Sequence, residues 1–496
     1  MTYLVKEDLK SLTDITSQSN ISSANAQEIY HIIERYFSEH NRDQSFIITK
    51  AILSERFGEI LEHFDFNNGV LFSTNYFLFC YTLTDPKVDF QTVNNDLYSR
   101  VAVPYKNWVE AKAPFYEGLI NTIEEGNDYV FIVRRARVTG FYAPGKSIYT
   151  YAEALLSSGK NVWVIALYST DDEFLSLSKQ YPKLRVSELF QNSLEVSLNS
   201  VIEILKLAKP KVILTETEFD LPSVLAIMNK KIPMFYLSQG YYNLPWYDLI
   251  GYYDILGERH VGRQEIDFFD IPVWVSRDIL APKYDSSVVT AARKELGLTE
   301  EDFVIGSFAQ MGKFQKSFLD FLKLILSKES SVKVFLAGPN DNSLVRSELQ
   351  EFVAQNRAII LPAVDVNIAG HCLDIGLDSF PLHGGYSVLE LMAKDIPVLS
   401  LKGGDLGPIE SARLPETVMH TETELAQLIS DLIHVPGALS DLKSKNNEFM
   451  ILHDKSELFI KVLEKNIDKA QSKILHKQLK MQIDSMKIQI EGNKLI

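Results

Sequence analysis

The sequence predicts an α/β protein. Two Rossmann-like, doubly wound parallel sheets face one another across a cleft, and a mainly helical region precedes them. Three observations carry this expectation. From Asp128 onward, short apolar and β-branched runs alternate with helical segments of about a dozen residues. The alternation breaks once, over DIPVWVSRDILAPKYDSS, which has two prolines and no clean period, and then restarts. Ahead of it the chain shows helical spacing and no glycine-rich phosphate loop.

The elements follow in order. AQEIYHIIERYFSEH and SERFGEILEHFDF carry apolar residues three and four apart, which predicts amphipathic helices. GVLFSTNYFLFCYTLT is apolar and aromatic throughout, so its periodicity fits a buried helix or a strand. DYVFIV, Asp128 to Val133, predicts a strand buried on both faces. The loop RRARVTGFYAPGKS and the helix SIYTYAEALLSSGK come next. NVWVIALYS, KVILTET and IPMFYLSQG predict further strands, with helices SVIEILKLAKP and DLPSVLAIMNKK between them, and YYDILGE one strand more. Beyond the linker, FVIGSFA, VKVFLAG, AIILPA, part of CLDIGLDSF, and IPVLSL predict the second set of strands. VVTAARKELGLTEED, KSFLDFLKLILSKES, SLVRSELQEFVAQN, GYSVLELMAKD and TETELAQLISDLI are its helices. The tail from Lys455 predicts one or two helices, packed back on the domains or offered to a partner. Four units result: residues 1–125, 126–282, 283–455 and 456–496.

Composition narrows the function classes. With 50 Lys+Arg against 65 Asp+Glu the chain carries −15, which argues against nucleic acid as a partner. A hydrophobic content of 46% supports a sizeable core and excludes disorder as the main state. Cys80 and Cys372 lie far apart, which excludes a disulfide framework and a thiolate zinc site. The first residues show no secretory signal and no run approaches a spanning helix, so a cytoplasmic protein without a transmembrane segment is expected.

The densest cluster of chemistry lies between Asp374 and Asp405. Gly384 and Gly385 follow an apolar strand and precede a helix that starts near Tyr386 and Ser387. Such a helix start offers unpaired N–H groups to a pyrophosphate, and Glu390 on its first turns suits ribose hydroxyls. Equally, Ser387 and Glu390 fit a plain capping box. Gln310 and Lys313 leave the first strand of the second domain, where a lysine can offset the charge of a leaving diphosphate. In the first domain, Arg134, Arg135 and Arg137 follow the first strand, and Lys146 and Ser147 lie in the next loop. They fit an acidic acceptor, a donor phosphate or a solvated patch. In TETEFD, Glu216, Glu218 and Asp220 follow a strand; one of them is a candidate base for an acceptor hydroxyl, against the reading of an acidic turn with Asp220 as helix cap. His260, His371 and His383 are alternatives. No HExxH, no carboxylate pair at metal-ligand spacing and no strand-end DxD is present, so no metal site and no cofactor are expected.

These residues resemble a known family. Phe308, Gln310 and Lys313 match a Phe-x-Gln-x-x-Lys pattern. Asp374, Leu377, Asp378 and Pro381 match an Asp-x-x-Leu-Asp-x-x-Pro stretch. His383, Gly384, Gly385, Tyr386, Ser387 and Glu390 stand on an Asn-Gly-Gly-Thr-Thr-x-x-Glu/Asp pattern. Together they resemble the GT-B nucleotide-sugar glycosyltransferases that include O-GlcNAc transferase and the HMW-type bacterial N-glycosyltransferases, over roughly Ile305 to Asp405 and more loosely upstream at SQGYY. His383 replaces the family Asn, Tyr386 a small hydroxyl residue, and YAPGKS stands where the O-GlcNAc branch has His-Pro-x-x-His. The resemblance implies a GT-B fold with residues 126–282 on the acceptor side and 283–455 binding the nucleotide sugar. It implies Gln310, Lys313, His383, Gly384, Gly385, Tyr386, Ser387 and Glu390 at the donor, with Lys313 also catalytic; Glu218 and His260, from the reading of the residues themselves, are the further catalytic candidates. The expected activity is transfer of a hexose or N-acetylhexosamine from a UDP-sugar, as donor substrate, to a protein or glycan acceptor, inverting and metal-independent. Capsule or lipopolysaccharide glycan synthesis, a non-catalytic binding or chaperone module on the same fold, and a nucleotide-sugar epimerase are the alternatives. A protein partner or homo-oligomer also stands as an expectation.

Overall fold

The computed structural model describes residues 2–38, 53–82, 97–140, 142–189, 193–238, 244–253, 268–272, 274–339, 342–362, 364–381, 383–402, 413–452 and 455–493. Two parallel sheets organise it. The first contains β1 (Asp128–Ala136), β2 (Val162–Thr170), β3 (Leu184–Glu188), β4 (Pro210–Thr215), β5 (Met234–Ser238), β6 (Leu249–Tyr253) and β7 (Phe268–Ile271), in the order β3-β2-β1-β4-β5-β6-β7. The second contains β8 (Phe303–Phe308), β9 (Val332–Ala337), β10 (Ala358–Leu361), β11 (Ile375–Leu377), β12 (Val398–Leu401) and β13 (Val418–Met419), in the order β10-β9-β8-β11-β12-β13. All pairings are parallel; Val130, for example, lies beside Trp163 on one side and Ile213 on the other.

The continuous apolar run of β1 has a direct structural cause. Tyr129, Phe131 and Val133 point into one core, and Val130 and Ile132 into another, so both faces are covered. The second core lies under helices Leu194–Ala208 and Leu221–Met228 and continues into the N-terminal helices. Those helices span Thr2–Thr16, Ser23–Ser38, Phe57–Leu61, Phe66–Thr82, Val103–Lys112 and Pro114–Ile120. Phe219 packs between Phe77 and Tyr105, each 4.9 Å away, and Trp246 at 5.1 Å, and the Tyr105 hydroxyl lies 2.8 Å from Ser223 Oγ. The N-terminal helices therefore share a core with the first sheet. The described part of GVLFSTNYFLFCYTLT, as far as Thr82, lies in the helix Phe66–Thr82.

Several elements differ from expectation. β1 runs on to Ala136 and the next helix starts at Ala143, with Pro144 in its first turn, so Lys146 and Ser147 belong to a helix and not to a loop. A helix Asp172–Gln180 and strand β3 lie in a stretch where sequence periodicity was silent. Asp171 starts that helix by accepting from Phe174 N–H at 2.9 Å, while its other oxygen takes Val138 N–H and Thr139 N–H. The presumed linker carries the end of β7 and a short helix, Arg277–Leu280. In YYDILGE only Tyr252 and Tyr253, in β6, fall within the described residues.

The last helix, Ser456–Asn493, follows the second sheet in sequence but packs on the first domain. Phe459, Leu463, Ile467 and Ala470 form its buried stripe at helical spacing. Phe459 stacks on Tyr151 at 4.4 Å and meets Trp274 at 5.4 Å. Glu464 accepts from Tyr129 Oη, Lys211 Nζ and, at 3.0 Å, Lys160 Nζ. Partial burial pushes this carboxyl up, and the three donors outweigh it and hold it at about 2. Among the described residues no helix is long and apolar enough to cross a membrane.

Candidate active site at the two strand-order switch points

In a doubly wound sheet the strand order reverses at one place, and the loops leaving the strands there diverge to form a crevice. In the second sheet this place lies between β8 and β11. A tight turn, Met311–Lys313, follows β8, and Lys313 Nζ donates to the carbonyl of His383 at 2.9 Å. Asp378, directly after β11, organises the facing loop. It accepts from Gly384 N–H at 2.7 Å, Arg413 Nη2 at 2.9 Å, His383 Nδ1 at 3.1 Å and Ser400 Oγ at 3.3 Å. Arg413 also donates to the Gly384 carbonyl at 2.6 Å. Both Asp378 and Arg413 are almost wholly buried. Burial pushes the Asp378 carboxyl up, but Arg413, His383 and Gly384 N–H hold it below the usual carboxylate range.

The loop so fixed leads into the helix Tyr386–Ala393. Gly385 precedes the helix and no side chain caps it, so no Ser387–Glu390 capping box forms; Val388 N–H turns back to the Gly385 carbonyl at 3.1 Å. Gly384 is the tightly enclosed glycine: a Cβ there would sit 3.0 Å from Asp378 Oδ1 and from Ser387 Oγ. Gly385 has φ −108°, so no left-handed φ requires glycine there. Ser387 is half-buried on the first turn, and Gln310 is exposed on the loop leaving β8.

The Tyr386 and Glu390 side chains turn towards the first domain. Both are buried against the helix Ala143–Ser157 of the first domain. Tyr386 Oη lies 2.7 Å from Thr150 Oγ1, and Glu390 Oε1 accepts from Lys146 Nζ at 2.6 Å. One turn on, Lys394 Nζ donates to the Leu280 carbonyl, and burial pushes its ammonium down to about 8. Tyr386, Glu390 and Lys394 thus form one interdomain stripe, four residues apart.

The first sheet has its switch point between β1 and β4. There Arg134 meets three carboxylates. Glu216, the residue after β4, accepts from Arg134 N–H at 2.9 Å, Tyr142 Oη at 3.1 Å and Thr217 Oγ1 at 2.6 Å. Burial raises the Glu216 carboxyl against the pull of Thr217 and Arg134. Glu218 accepts from Tyr236 Oη at 2.8 Å and lies 3.9 Å from Arg134 Nη2. Asp220 caps the helix Leu221–Met228 through Leu221 N–H and accepts from Tyr168 Oη at 2.6 Å. Burial works against the charge of Arg134, and Glu218, Asp220 and Glu216 outweigh it. Alternation along β1 leaves Arg135 exposed, and Arg137 is exposed beyond the strand end. His371 is occupied by the Pro282 carbonyl at 2.9 Å, and His260 lies outside the described residues.

Sequence reasoning missed Arg413, Tyr168 and Tyr236. The first stands alone in SARLPE, with no motif around it, and the tyrosines sit inside strands read only for their apolar character.

No protein-family profile matches the chain, and no curated protein does. Solved structures match in fold. An O-GlcNAc transferase mutant from Thermobaculum terrenum is 12% identical, with 95% of this chain and 99% of that one covered and a TM-score of 0.54. A glycosyltransferase from Rickettsia africae is 15% identical over 71% of this chain and 99% of that one, with a TM-score of 0.52. An Anabaena protein, solved in complex with UDP and glucose, is 15% identical over 71% and 99%, with a TM-score of 0.50. Two doubly wound sheets, each with a polar cluster at its switch point, and an architecture shared with these structures give the chain the GT-B fold.

Proposed function

We propose that the chain is a glycosyltransferase. It takes a UDP-sugar and passes a hexose or N-acetylhexosamine to a protein or glycan acceptor, with inversion and without a metal ion or cofactor. The observation that carries this reading is the contact of Lys313 Nζ with the His383 carbonyl, which brings a cation beside the uncapped start of the Tyr386–Ala393 helix. A diphosphate at this helix start lies where the positive helix end and the lysine act together. As the bond from the sugar to the diphosphate breaks, negative charge grows on the leaving UDP, and both groups stabilise it. Gln310, His383, Gly384, Gly385, Tyr386 and Ser387 make up the rest of this donor site, with Glu390 on the ribose. Glu218 is the proposed base: it is the least buried carboxylate of the first cluster and receives the proton of the acceptor hydroxyl. The Anabaena structure with UDP and glucose supports the choice of donor.

Lys313→Ala tests the reading. Turnover of UDP-sugar should fall by about two to three orders of magnitude, the usual loss for one removed electrostatic donor, with folding unchanged. Near-normal turnover overturns it. Tight UDP binding in the wild-type chain without turnover on any acceptor leaves a binding module in its place.

A further inference from the structure

Lys146 sits in the first turns of the helix Ala143–Ser157, which connects the Arg134 end of β1 to β2. The helix start is tightly seated, since a Cβ on Gly145 would lie 2.1 Å from the Arg137 carbonyl oxygen. Only 2% of Lys146 is exposed. An ammonium group so buried is costly unless it is paired. Its partner, Glu390, comes from the other domain. The neighbouring contact, Thr150 with Tyr386, repeats the pairing one turn along both helices, so the two helix faces are in register. Lys394 directs its Nζ to the Leu280 and Glu390 carbonyls and not to the Glu390 carboxylate. Among the described residues, one Glu390 oxygen is taken by Lys146 and no hydrogen bond is seen to the other.

We propose that Lys146 is a positioning residue of the donor site. By holding Oε1 it fixes the Glu390 carboxylate in one orientation and leaves Oε2 for ribose hydroxyls. It also offsets a negative charge that would otherwise repel the diphosphate. The nucleotide site is then complete only when both domains are together, because its positioning cation belongs to the acceptor side. This inference rests on the reading of Glu390 as the ribose carboxylate.

The test uses the full chain and compares Lys146→Met, Lys146→Arg, Glu390→Gln and the double variant Lys146→Met/Glu390→Gln. UDP affinity is measured by calorimetry, and donor KM and kcat with a UDP-sugar. Lys146→Met should weaken UDP by about tenfold or more, the range for a hydrogen bond to a charged group, and raise KM more than it lowers kcat. Lys146→Arg should recover most of the loss. In the Glu390→Gln background the lysine change should add less than about twofold, since neighbours acting through one another are not additive. If Glu390→Gln leaves UDP affinity intact, the ribose reading itself fails. If Glu390→Gln weakens UDP but Lys146→Met leaves it equal or tighter, the positioning role is overturned and the pair is a closing contact only. Additive losses also overturn it, because Lys146 would then touch the ligand directly. Should Lys146→Met fail to fold, the exchanged pair Lys146→Glu/Glu390→Lys keeps the buried ion pair but moves the carboxylate to the other helix. UDP affinity must fall in that variant; retained affinity overturns the proposal.

Discussion

Glu464→Gln probes how the C-terminal helix is held on the first domain. The wild-type carboxylate accepts from Tyr129, Lys160 and Lys211, and these donors hold it at about 2 although burial opposes them. The gap to an ordinary glutamate converts to about 3 kcal/mol at most, at 1.36 kcal/mol per pH unit. A quarter of the side chain is exposed, so solvent screening reduces this to about 1–2 kcal/mol. The sign follows from the direction of the shift. The folded-state value is depressed, so the stabilisation is complete above the unfolded value near pH 4.5 and disappears as the pH falls towards about 2. Urea unfolding of the two proteins, followed by far-UV circular dichroism, should give a constant difference from pH 7 to pH 5.5. The difference should narrow visibly at pH 3.5. Equal stability at pH 7, or a difference that stays constant down to pH 3, would refute the assignment of this carboxylate as the anchor.

Three further outcomes are expected. Asp378→Asn leaves Arg413 buried without its charged partner and should cost about 3–5 kcal/mol in thermal or denaturant unfolding; a loss below about 1 kcal/mol would mean that the network is not what holds the His383–Gly384 loop. Gly338→Ala places a Cβ 1.6 Å from the Ala309 carbonyl oxygen. The backbone leading to Gln310 and Lys313 must shift, at a cost of about 1–3 kcal/mol, and UDP affinity by calorimetry should fall with it; wild-type affinity and stability would rule out this coupling. Glu218→Gln should lower kcat by about 10²- to 10⁴-fold with little change in donor KM, and an unchanged kcat would remove Glu218 as the base.

The chain alone determined the two-sheet architecture, because buried parallel strands must be continuously apolar and must be joined by amphipathic helices. DYVFIV and VKVFLAG read as strands for that reason, and the folded positions of β1 and β9 agree. It also placed Gln310 and Lys313 on the loop leaving the first strand of the second sheet, while the contact of Lys313 with the His383 carbonyl follows from the strand order, which the sequence does not state. Other features needed the tertiary structure. β3 and β13 are short, and β13 has only two residues, too few to show a period. Lys146 reads as a loop lysine because the helix start at Ala143 carries no side-chain cap that a sequence could announce. That Lys146 would meet Glu390, 244 residues later, depends on how the two domains close. Arg413 is buried only because Asp378, Ser400 and the Gly384 carbonyl converge on it from separate segments. Periodicity reports which face of an element is covered; it carries no record of which distant charge does the covering, and buried ion pairs are set by that choice.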